Sequence, residues 1–75
     1  MPKLTRTSGE KAVHALQRLG FTQVRQRGSH VVLRKDLPEG AVGCVIPLHR
    51  EVAVGTLRAA LRQAGVTPEE FMAEL

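Results

Sequence analysis

The chain has 75 residues, a hydrophobic share of 43% and a net charge of +4. That length limits it to one small domain over residues 1–75, and the apolar share excludes a disordered chain. The single cysteine, Cys44, excludes a disulfide-stapled secreted mini-protein; no apolar run approaches the roughly 18 residues of a membrane helix, and no signal-peptide region opens the chain, so a cytoplasmic protein is expected.

In chain order, Met1–Arg6 reads as a short basic arm, extended around Pro2. Thr7-Ser8-Gly9-Glu10 fits a capping box with Thr7 as the N-cap and Glu10 three residues on. The stripe Val13, Leu16, Leu19, with Ala12 and Ala15, then predicts a helix over about residues 8–19. Gly20 ends it in the left-handed region, and Phe21 is placed to fold back on Leu16. Residues 21–27 are a strand candidate, and Gly28 a turn. The clearest strand is His30–Arg34, rich in β-branched residues, followed by a turn over Asp36–Gly40 and a third strand over Val42–Ile46, stopped by Pro47. Residues 48–54 read as a loop. A second helix is expected over residues 55–64, with Leu57, Ala60, Leu61 and Ala64 on one face and Gly65 as its cap. Thr67-Pro68-Glu69-Glu70 is another capping box, opening a short third helix with Phe71 and Leu75. The fold class is α+β: an α-β-β-β-α order with a three-stranded antiparallel sheet, helices on one face and a short extra C-terminal helix. The other sheet face is left open. If Val31 and Leu33 face the helices, His30, Val32 and Arg34 share the open face.

Charge is unevenly spread. All 11 Lys and Arg lie in residues 1–62, whereas Glu69, Glu70 and Glu74 form an acidic tail. A basic body rich in arginine attracts phosphate backbones, so nucleic acid and an ordinary basic surface both remain open as readings. With no Trp or Tyr, and Phe21 and Phe71 as the only aromatics, the composition argues against a single-strand base-stacking platform as the binding mode.

Three histidines are candidates for chemistry. His14 falls on the polar side of the first helix and reads as solvent-exposed. His30 follows Gly28-Ser29 and is flanked by Arg25, Arg27 and Arg34. An imidazole there can exchange a proton near neutral pH while the cations stabilise a phosphate gaining charge. Isolated histidines rarely prove catalytic, so the local sequence by itself favours a structural or solvated role. His49, beside Arg50, reads as an ordinary loop contact or a second acid or base. The His and Cys spacings match no short zinc-ligand pairing, so no metal and no cofactor are expected. Cys44 reads as a small buried apolar residue.

In order, Gly28-Ser29-His30 with Val31-Val32-Leu33, then Val45-Ile46-Pro47-Leu48-His49, Gly55-Thr56-Leu57 and Leu61-Arg62-Gln63-Ala64-Gly65 resemble the HicA toxins. The likeness runs from about Leu4 to Phe71. Ala60 departs from it, since a bulkier aliphatic is usual there. The resemblance implies a fold similar to a double-stranded RNA-binding domain. It also implies messenger-RNA cleavage that blocks translation, a HicB-like antitoxin partner forming a hetero-oligomer with the toxin, and a catalytic His at His30. Arg25, Arg27, Ser29 and Arg34 are the expected RNA contacts around it. A non-catalytic RNA-binding module, or a protein-interaction domain with an acidic partner, would need the arginines more than the imidazole.

Overall fold

The structure is a computed structural model that describes residues 4–75. Its elements run α1 (Gly9–Arg18), β1 (Thr22–Arg27), β2 (His30–Leu37), β3 (Gly40–Pro47), α2 (Val54–Ala64) and α3 (Pro68–Met72). The strands form one antiparallel sheet in the order β1-β2-β3, giving the expected α+β arrangement. Of the basic arm, Met1–Lys3 lie outside the described residues. Leu4 is buried and Thr7 bridges Val52 in antiparallel fashion.

That bridge changes how α1 begins. Val52 donates its N–H to the Thr7 carbonyl at 2.8 Å, which holds Thr7 in extended pairing. The N-cap is therefore Ser8 and not Thr7: the Ser8 hydroxyl accepts the Lys11 N–H at 3.1 Å. Glu10 consequently sits in the first turn, where it complements the helix dipole without closing a capping box. The C-terminal end of α1 follows the sequence signal. The Phe21 N–H donates to the Leu16 carbonyl and the Gly20 N–H to that of Gln17, both at 3.0 Å, with Gly20 at φ +99. Gly65 and Val66 repeat this arrangement on Arg62 and Leu61. Thr67 and Glu70 form the expected reciprocal capping box at α3. Leu75 lies past the end of that helix and is 50% exposed.

The second and third strands extend beyond the residues their sequence suggests. Leu37 pairs with Gly40, so the turn narrows to Pro38-Glu39. What makes Lys35 tolerable on the helix side of β2 is a partner: its Nζ donates to the Leu19 carbonyl at 2.9 Å and lies 5.8 Å from the Phe21 ring. The hydrophobic pattern breaks at Lys35, but the pairing does not.

The core lies between the sheet and the two longer helices. Leu16, Val31, Leu33, Ile46, Leu57 and Leu61 are almost completely buried in it. α2 packs on β3, and α1 spans β2 and β3. Phe71, fully buried, belongs to α3, which packs on α1 and α2. Burial pushes the Cys44 thiol up to about 11. An alkylating reagent at neutral pH should therefore label Cys44 only after unfolding. The raised value also carries a sign for stability. Folding favours the neutral thiol, so this contribution is intact below the ordinary thiol range and is lost as pH rises from about 9 toward 11. Urea midpoints measured across that window should fall less for Cys44→Val.

Candidate functional site

His30 opens β2 immediately after the Gly28-Ser29 turn. Gly28 holds φ +56, a left-handed conformation that fits a two-residue hairpin loop starting on glycine. Directly opposed residues of antiparallel strands share a sheet face. Arg27 is the partner of His30, Arg25 of Val32 and Thr22 of Arg34. All of these therefore lie on the face turned away from the helices, while Val31 and Leu33 are buried on the other.

A bulge in β1 is what reconciles Arg25 with Phe21. The register shifts between Gln23 and Arg25, leaving Val24 as the extra residue. Strict alternation from Arg27 would send Phe21 to the open face and Val24 to the core. With the bulge, Phe21 is buried and Val24 is 55% exposed. Val24 then joins Val32, Arg34, Ala41, Gly43 and Val45 around a groove of about 580 Å³ on the open face. A side chain at position 43 would press on the Leu33 carbonyl, so this part of the groove floor stays bare backbone.

The expected site residues are only partly brought together. Arg27 and Arg25 stand next to His30 on the open face. Arg34 shares that face but stands four residues along the strand, about 13 Å at the usual strand rise. Its Nε donates to the Asp36 carboxylate at 3.0 Å, an exposed pair. Ser29 is exposed in the turn, and its carbonyl accepts the Leu48 N–H at 2.6 Å. That bond ties the turn carrying His30 to the end of β3, where Pro47 pairs with His30. His49 follows at the same end of the sheet. Its carbonyl accepts the Gly9 N–H at 2.9 Å, and with Ser8, Glu10 and Arg50 it lines a recess beside the start of α1. His14 is exposed on α1. None of the described side-chain hydrogen bonds involves His30, His49 or His14. Among the described residues, no three His, Cys, Asp or Glu group as metal ligands, and no helix is long and apolar enough to cross a membrane.

Sequence reasoning missed two features of this region. The exposure of Val24 depends on the bulge, which nothing in Thr-Gln-Val-Arg-Gln-Arg announces. The close packing of Gly9 on β3 is equally silent, because a glycine in a first helical turn looks like a weak helix former and nothing more.

A family model described as the HicA toxin of bacterial toxin–antitoxin systems matches residues 9–66. The chain belongs to the HicA toxin family. No curated protein matches it. The matched region starts at Gly9, takes in the whole sheet and α2, and stops at Val66, just after the Gly65 cap. In this HicA toxin Ala60 is buried in the core, so its departure from the bulkier aliphatic acts on packing and not on the open face.

Proposed function

We propose that this HicA toxin is a ribonuclease that cleaves messenger RNA without a metal and so blocks translation in the cytoplasm. The observation that carries the reading is His30 at the mouth of a tight turn, exposed, with Arg27 as its cross-strand neighbour and Arg25 beyond it. In the reaction, an RNA 2′-hydroxyl attacks the adjacent phosphorus. A 2′-O–P bond forms and the P–5′-O bond breaks, leaving a 2′,3′-cyclic phosphate and a 5′-hydroxyl. His30 takes the proton from the 2′-oxygen or returns one to the departing 5′-oxygen. Arg27 and Arg25 offset the extra negative charge that the phosphorus centre carries in between. His49, at the same end of the sheet, is the candidate for the second proton transfer. The cleavage assay that tests this uses purified protein with RNA and with DNA of the same sequence. RNA should be cut in the presence of EDTA and DNA left whole; equal cutting of both would rule out the 2′-hydroxyl as nucleophile.

Backbone contacts position RNA without reading its sequence. Arg25→Ala and Arg27→Ala should each flatten the logarithmic salt dependence of RNA binding by roughly 0.7–0.9. Arg34→Ala should do less, because Asp36 already holds that guanidinium. A triple variant whose salt slope equals that of the wild type would move the RNA surface off this face.

The partner reading follows from the same face. Val24, Val32 and Val45 make an apolar strip across the three strands, bordered by Arg25, Arg27 and Arg34. An acidic, HicB-like antitoxin that lays an apolar segment on this strip would cover His30 and be captured quickly by charge. Mass measurement of the co-expressed pair should give a hetero-oligomer, with hydrogen exchange slowed around His30. A bound partner that leaves the His30 region unprotected would mean that inhibition does not work by covering the site.

A further inference from the structure

A second cationic feature lies on the opposite side of the molecule from the open sheet face. A cleft of about 390 Å³ is lined by Thr5, Arg6, Lys11, His14, Arg18 and Leu75, among others, and among the described residues no Asp or Glu lines it. Lys11, His14 and Arg18 are spaced three and four residues apart, so they form a row along one side of α1. The row spans about 10 Å at the helical rise per residue. One strand of a duplex carries a charge every ~3.4 Å along its axis, so a row of that length faces about three phosphates.

We infer that this cleft is a second phosphate-backbone site, holding RNA that continues past the residue cleaved at His30. The inference rests on the ribonuclease reading. Its first support is continuity. The Ser29 carbonyl holds Leu48, and the His49 carbonyl holds Gly9, by bonds of 2.6 and 2.9 Å. The turn bearing His30 and the first turn of α1 are thus joined through two residues, and of the row on α1 Lys11 lies nearest this end. The second support is the composition of the cleft. A protein partner needs apolar or aromatic anchors at the centre of its contact. Among the described residues, Leu75 is the only large apolar side chain lining the cleft, and none is aromatic. The cations also remain available. Arg6 meets Glu51 at 3.6 Å in an exposed pair, and Arg18 donates one bond to the Glu74 carbonyl at 3.0 Å.

The test is RNA binding at several salt concentrations, with a 2′-O-methyl RNA of a dozen nucleotides or so, which has no attacking hydroxyl. Lys11→Gln/Arg18→Gln should lower the logarithmic salt slope by about 1.5 and weaken binding roughly ten- to fifty-fold near 0.1 M salt. Lys11→Gln alone, which leaves the Arg18–Glu74 bond untouched, should give about half that change in slope. The control Arg58→Gln/Arg62→Gln removes the same charge from α2, where both residues border a different recess, and should change the slope much less. A folded cleft variant with the wild-type slope, or an equal loss in the control, overturns the inference and leaves the ribonuclease reading standing. So does loss of antitoxin capture with RNA binding unchanged, since the cleft would then be a protein surface. A wild-type protein that neither binds nor cuts RNA fails at the earlier step and takes both readings with it.

Discussion

Gly9→Ala should destabilise the protein, although Ala is ordinarily the better helix residue by roughly 0.5–1 kcal/mol. The reason is contact. A Cβ at position 9 would press into the Pro47 carbonyl oxygen and come within 2.8 Å of the Leu48 Cα. Both obstacles are backbone, so neither can swing aside as the tip of a side chain does. Forcing an extra carbon into a packed site costs about 1–3 kcal/mol, a large share of the 5–15 kcal/mol typical of a folded domain. At roughly 4–8 °C per kcal/mol for a domain of this size, melting should fall by about 5–20 °C. The damage should also reach chemistry, because the Gly9 N–H fixes the His49 carbonyl, and Leu48 ties that segment to Ser29. Thermal unfolding checks this directly. A variant that melts at or above the wild-type temperature would mean that α1 does not pack on β3 as described.

His30→Ala should do the reverse, sparing the fold and removing the activity. His30 is exposed at the edge of its strand, and none of the described side-chain hydrogen bonds holds it. A surface change of that kind usually alters stability by no more than about 0.5 kcal/mol. Positioned proton transfer contributes roughly a hundred- to ten-thousand-fold in rate, so cleavage should fall by that factor and overexpression should no longer arrest growth. RNA binding should change little, since Arg25 and Arg27 remain. The split between retained binding and lost cleavage separates a catalytic residue from a mere contact.

Much of this architecture was legible because its signals are local. Gly20 and Gly65 mark helix ends through backbone conformations that other residues adopt poorly, and Thr67 with Glu70 closes a cap within four residues. The pairing of Val31 and Leu33 against the core follows from strand alternation alone. The misreadings arise where a distant partner decides. Thr7 loses its capping role to a bridge with Val52, 45 positions away in the chain. Lys35 stays in a strand because the end of α1 supplies a carbonyl. The candidate site divides in the same way. The turn before His30 was readable from Gly28-Ser29-His30. Which arginines stand beside His30 depends on register and on the bulge at Val24, and that could only come from the fold.

The most direct measurement is the rate of cleavage of one RNA, in EDTA, by wild-type protein and by a His30→Ala variant shown by its melting curve to be folded. Cleavage should fall at least about a hundred-fold, with the wild-type products ending in a 2′,3′-cyclic phosphate and a 5′-hydroxyl. A folded His30→Ala protein that cuts at the wild-type rate would contradict the catalytic role of His30.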